Sequence, residues 1–206
     1  MPSIAGEIPE PVAAAEAIAF AELRPGDKVA DFLPATAYFA NIFCKAVGES
    51  GHVYVISPPA TNDAGTNSKA VTSPGADCTN VTTEILRSRN YPAPELHSDS
   101  DDPGWVYEYW ASRLPVESFV AAEPLDVIWI AGRYHALHGK ESGSPNIQFV
   151  GVALLAALKP GGILVIADQA ARIEPDQVRR EMIAAGFQPV GESRNAGQFL
   201  LRFRKP

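Results

Sequence analysis

From Pro25 onward, short apolar runs of strand type alternate with stretches whose apolar residues recur every three to four positions. Residues 28–33 read as a buried strand. Residues 36–47 read as a helix with Phe39, Ile42, Phe43 and Ala46 on one face, closed by Gly48. Residues 52–56 form a second apolar run, halted by Ser57-Pro58-Pro59 because proline cannot donate to a β-ladder. A strand–helix–strand unit of this kind predicts two parallel strands joined by a right-handed crossover. Upstream, Pro9 and Pro11 introduce an alanine-rich helix to about Leu23, ended by the turn Arg24-Pro25-Gly26-Asp27.

The middle of the chain has no such rhythm. Residues 60–124 are rich in Pro, Asn, Asp and Ser, with a strand expected at 80–86 and an alternative third strand at 116–121. An irregular span of this length inside a compact domain carries a lid or binding loop, or is an insertion. The aromatic segment Trp105, Tyr107, Tyr109 and Trp110 suits core packing or a pocket wall equally. Order returns with a strand at 125–131, a helix at 145–158, and the turn Lys159-Pro160-Gly161-Gly162 into a strand at 163–167. A helix at 175–185, stopped by Gly186, precedes two strands at 187–192 and 198–204 that read as an antiparallel hairpin. The expected fold is α/β: a Rossmann-like, mostly parallel sheet with a C-terminal antiparallel hairpin. An N-terminal helical segment (1–24) precedes the α/β domain (25–206).

A chain of 206 residues fits one domain. The net charge of −7 argues against a nucleic-acid partner, which calls for a dense basic surface, and leaves a small-molecule substrate as the expected partner. No apolar run is long enough to cross a membrane. The N-terminus lacks the basic start and apolar middle of a secretory signal, so a cytoplasmic location is expected. Cys44 and Cys78 show neither CxxC spacing nor neighbouring histidines, and two free thiols in a reducing compartment are expected.

Four segments in series resemble the class I S-adenosylmethionine-dependent methyltransferases. Residues 24–31 (RPGDKVAD) look like that family's first strand, 124–128 (PLDVI) like its fourth, 158–166 (LKPGGILVI) like its fifth, and 184–187 (AAGF) like the approach to its closing hairpin. More narrowly, Tyr134-His135-Ala136-Leu137-His138 and the terminal Phe203-Arg204-Lys205-Pro206 resemble a bacterial group of methyltransferases reading roughly "YHDLH" and "FRKP". That group carries "PGGGYF" where this chain has Pro34-Ala35-Thr36-Ala37-Tyr38-Phe39. The resemblance implies S-adenosylmethionine as cofactor, gripped by Asp31 and the Leu33, Pro34, Ala35, Thr36, Ala37 and Tyr38 turn. Ser57 or Pro58 stands where the family's ribose-binding acid would be. A nicotinamide cofactor is disfavoured, because no G-x-G-x-x-G follows the first strand.

Asp31 suits either the cofactor's ammonium group or a loop-capping role, and Thr36 is a candidate N-cap whose helix dipole also favours a carboxylate. His135 and Asp168 are the candidate catalytic residues: His135, after the fourth strand, suits general-base work near neutral pH or a structural role, and Asp168, ending the fifth strand, suits a base, a substrate anchor or a cap of the Gln169-Ala170-Ala171 turn. Arg133, Tyr134 and His138 are candidate substrate contacts; Arg133 suits an anionic group. The His135–His138 spacing raises a metal pair, but no carboxylate or cysteine signature accompanies it and no metal is expected. Two functions stand side by side. One is a methyltransferase of an unknown small molecule. The other is a catalytically inactive member that has lost the cofactor along with its loop glycines and serves as a binding or assembly module.

Overall fold

The computed structural model describes residues 12–34, 36–57, 75, 77–85, 88–89, 116–117, 121–138, 147–195 and 197–206. Its strands are β1 (Lys28–Phe32), β2 (His52–Ser57), β3 (Val81–Ile85), β4 (Ser88–Arg89), β5 (Val116–Glu117), β6 (Leu125–Ala131), β7 (Leu158–Gln169), β8 (Gln188–Asn195) and β9 (Gln198–Arg204). Seven of them form the central sheet, in the order β3-β2-β1-β6-β7-β9-β8. Strands β3, β2, β1, β6 and β7 run parallel, and β9 and β8 close the edge antiparallel. The predicted α/β sheet with its terminal hairpin is the fold observed.

Side-chain alternation explains the layering. Along β1, Val29 joins one apolar cluster and Ala30 and Phe32 the other, as successive residues of a strand must face opposite sides. On the first face, Val29, Val53, Val55, Val127, Trp129 and Val165 meet α1 (Ala14–Phe20) and α2 (Tyr38–Val47). On the second, α3 (Ile147–Ala157) and α4 (Pro175–Ala184) cover Ile56, Ile128, Ile130, Leu164 and Ile166. Trp129 is fully buried, with the Phe39 and Phe43 rings 4.9 and 5.5 Å away. Burying an aromatic of this size contributes roughly 1.5–3 kcal/mol, which fixes α2 over β6.

Several boundaries differ from the sequence reading. Helix α2 begins at Tyr38 with Ala37 as its N-cap and no side-chain cap; the Thr36 hydroxyl instead accepts the Tyr38 N–H at 3.3 Å, in the turn ahead of the helix. The third strand of the sheet is β3. Of the alternative at 116–121, the described residues 116–117 form β5, paired antiparallel with β4 in a separate two-stranded sheet. The start of β3 is fixed by Asn80, whose side-chain amide donates to the Cys44 and Gly48 carbonyls at 3.1 and 2.8 Å. The Lys159–Gly162 turn lies within β7 as an excursion: Leu158 pairs with Leu125, and pairing resumes with Ile163 opposite Val127. Gly161, at φ 78°, and Gly162, where a Cβ would stand 2.9 Å from the Lys159 carbonyl, make the excursion possible.

The cysteines are not free. Cys44 on α2 and Cys78 ahead of β3 form a disulfide, with Cα atoms 5.8 Å apart. The expectation of two reduced thiols rested on a missing short-range motif, and the two residues meet only through the fold. Asn41, one turn before Cys44, accepts the Gly75 N–H at 2.7 Å and so draws Gly75 onto α2.

Candidate functional site

The strand order reverses at β1, which has β2 on one side and β6 on the other. In open α/β sheets the crevice outside the carboxyl ends at such a point is where ligands bind. Asp31 and Ser57 occupy those ends. By alternation both side chains project toward the α1–α2 layer, and since Asp31 pairs with Val55, Ser57 stands one pleat further out.

Asp31 is 1% exposed, and neither carboxylate oxygen has a hydrogen-bond partner; the Ser57 hydroxyl is buried and equally unpartnered. Burial pushes the Asp31 carboxyl up to about 8, against a small opposing pull from the Ala40 N–H in the first turn of α2. The Ala40 N–H lies on the side from which a helix cap would come, but it completes no hydrogen bond to either oxygen. The Trp129 indole N–H, in register opposite Asp31, is a third buried polar group without a partner. Unsatisfied groups of this kind cost about 1–3 kcal/mol each, so three on one face at a strand-end crevice require a reason beyond stability.

The turn after β1 carries its strain at its first residue. Ala37 has φ −75°, so its substitution for glycine costs no backbone strain, and the described part of the turn leaves the ordinary region only at Leu33, with φ 56°. A β-carbon in that left-handed conformation costs roughly 1–2 kcal/mol. The Leu33 N–H donates to the Ile56 carbonyl at 2.8 Å, and its side chain is buried among apolar neighbours, which together hold it there. Pro34 is half-buried and Thr36 exposed. Tyr38 turns away, its hydroxyl toward the Val12 carbonyl at 3.4 Å. Ala35, Pro58 and the aromatic segment Trp105, Tyr107, Tyr109 and Trp110 lie outside the described residues.

The second group of side chains sits beyond β6 and β7. Gly132, at φ 65°, donates its N–H to the Ala167 carbonyl at 2.7 Å and turns the chain into a 3₁₀ turn, Tyr134–His138. This brings His135 onto Asp168. Its backbone N–H donates to Asp168 Oδ2 at 3.0 Å, its Nδ1 lies 3.1 Å from both carboxylate oxygens, and Oδ1 also accepts the Gln169 N–H at 2.8 Å. Asp168, with a fully buried side chain, therefore caps the turn after β7 and orients the imidazole as well. Holding Nδ1–H on the carboxylate leaves Nε2 as the acceptor nitrogen. That nitrogen is 3.1 Å from Arg172 Nη1.

Tyr134 and His138 go elsewhere. The buried Tyr134 hydroxyl donates to Glu181 Oε2 at 2.6 Å, and His138 Nε2 lies 2.9 Å from Glu181 Oε1, which also accepts from Gln177. Burial, then the bond to Glu181, pushes the tyrosine hydroxyl well above its ordinary range. Both side chains thus pin the 3₁₀ turn to α4. Arg133 is exposed, and its guanidinium has no partner among the described residues. Also among the described residues, no three His, Cys, Asp or Glu side chains group as a metal site would require. Sequence reasoning missed Arg172 and Glu181. Both lie in stretches where charged residues carry no distinguishing spacing.

The strand order, with its switch point at β1, and the closing antiparallel hairpin are those of the fold of the class I S-adenosylmethionine-dependent methyltransferases. Solved structures with that fold are similar over nearly the whole chain. A SAM-dependent methyltransferase from Aquifex aeolicus superimposes with TM-score 0.57 at 17% identity, covering 94% of this chain and 89% of that one. A TehB-like SAM-dependent methyltransferase from Corynebacterium glutamicum gives 0.60 at 11% identity, covering 95% and 89%. Aeropyrum pernix fibrillarin with natively bound S-adenosyl-L-methionine gives 0.51 at 11% identity, covering 88% and 67%. No protein-family model matches the sequence, and no curated protein matches it.

Proposed function

We propose that this chain binds S-adenosylmethionine at the carboxyl ends of β1 and β2 and methylates a small molecule. The observation that supports the reading is the pair of buried, unpartnered groups at those ends, Asp31 and Ser57. A carboxyl with both oxygens open fits an ammonium group, and a free hydroxyl fits a ribose hydroxyl. The fit is weaker than in the family pattern at one point. Ser57 offers a single neutral hydrogen bond, about 0.5–1.5 kcal/mol, where an acid would supply two stronger ones. The turn does not oppose the ligand by strain at Ala37, as its dihedrals are ordinary.

Bound there, the cofactor supplies an electrophilic methyl group on a sulfonium. What the chain must add is position, exclusion of water and one proton acceptor. His135 is the acceptor, oriented through Nδ1 by Asp168, and Arg133 is the substrate contact two residues before it. The pre-rRNA processing named for a fibrillarin from Methanococcus jannaschii, another structure of the same fold, belongs to that protein; a net charge of −7 favours a small acceptor here.

Titration of the purified chain with S-adenosylhomocysteine tests the reading. Saturable heat and a thermal shift are expected, both weakened by Asp31→Asn and by Ser57→Ala. No heat and no shift at millimolar ligand would reject it and leave the inactive binding module as the remaining account.

A further inference from the structure

Arg172 occupies an unusual place for an arginine on an acidic protein. It is exposed, with one end of the guanidinium on Gln169 Oε1 at 3.1 Å and Nη1 on His135 Nε2 at 3.1 Å, and no carboxylate among the described residues pairs with it. A guanidinium prefers a planar, charged acceptor that takes two parallel hydrogen bonds, and a neutral imidazole nitrogen offers one. Meanwhile the nitrogen it holds is the one free position of an imidazole otherwise fixed by Asp168. So long as Arg172 stays, that lone pair cannot accept a proton from anything else. Arg133, the second guanidinium at the same strand ends, is likewise unpaired among the described residues.

We propose that Arg172 is a substrate-reading latch: a carboxylate on the acceptor molecule draws its guanidinium off His135 Nε2, and the base becomes available only when an acidic acceptor is bound. The acceptor class is therefore a small molecule carrying a carboxylate beside the group to be methylated. This use of the latch rests on the methyltransferase reading, while its geometry does not.

Ring-nitrogen NMR of the histidines in the full chain, with His135 assigned through His135→Gln, follows the latch directly. Benzoate is the probe and benzamide its uncharged match. Benzoate is expected to shift the His135 Nε2 resonance saturably while benzamide does not. In Arg172→Gln that resonance should already lie near its benzoate-bound position, with benzoate affinity lower by about tenfold or more, the worth of a charge-assisted bond. Arg172→Lys, which keeps charge without the planar fork, should fall between. An unchanged His135 signal at saturating benzoate, or equal benzoate affinity in Arg172→Gln, would overturn the proposal. Titration of the same samples with S-adenosylhomocysteine separates the two claims: its failure to bind wild type while the benzoate response persists would sink the methyltransferase reading alone.

Discussion

Replacing Asp31 by asparagine should flatten the dependence of stability on pH. The folded protein holds this carboxyl near 8, against an ordinary 3.8, so between those values the folded state binds a proton that the unfolded state releases. Stability contributed by the group is thus full below about pH 4 and is lost as pH rises toward 8, by about 1.4 kcal/mol per pH unit. From about pH 5 to about pH 8 the loss is on the order of 4 kcal/mol, a large fraction of the 5–15 kcal/mol typical of a domain. The Asp31→Asn variant leaves a buried amide unpaired at a cost of about 1–3 kcal/mol, but that cost does not change with pH. Urea unfolding of both proteins across this range is the assay, read as the difference between the two slopes. Parallel curves for wild type and Asp31→Asn would refute the assignment of a buried, unpaired carboxyl at the end of β1.

Three further outcomes follow from the same geometry. Leu33→Gly should be more stable than Leu33→Ala by about 1 kcal/mol in urea unfolding, the reverse of the usual order, because both lose the buried leucine but only glycine relieves φ 56°. Reduction of the Cys44–Cys78 bond, which closes a separation of 34 residues, should cost about 3–4 kcal/mol and lower the midpoint of thermal unfolding, with Cys78→Ser behaving as the reduced wild type. Tyr134→Phe strands one oxygen of Glu181 and should cost about 1–3 kcal/mol of stability while leaving S-adenosylhomocysteine affinity unchanged, as calorimetry of the variant would register.

Most of the sheet was legible because its strands carry strong local signals. The 125–131 strand coincides with β6 and the 198–204 strand with β9, each an apolar run bounded by turn residues. What could not be read depends on contacts between distant segments. Nothing near Cys44 announces Cys78, since the contacts that bring them together, Gly75 N–H to Asn41 and Asn80 to the Cys44 carbonyl, use backbone groups that any sequence possesses. The missing glycines drew attention to residues 34–39, while among the described residues of the turn it is Leu33, directly after β1, that bears the left-handed conformation. That His135 and Asp168 lie at the same end of the sheet was legible from topology, as each follows or ends one of two adjacent strands; their hydrogen bond was not. Arg172 was not: four residues past Asp168 in a short turn, its direction is set by the hydrogen bond to Gln169 and not by any periodicity.

Proton-linked calorimetry addresses the central claim, that Asp31 is the open acceptor for the cofactor's ammonium group. Below about pH 8 the empty site carries a protonated carboxyl. A bound ammonium favours the ionised form, so the proton must leave. S-adenosylhomocysteine titrated near pH 7 in buffers of different ionisation enthalpy should release about one proton on binding wild type and none on binding Asp31→Asn. Binding with no proton released from wild type, or no binding at all, would contradict the account.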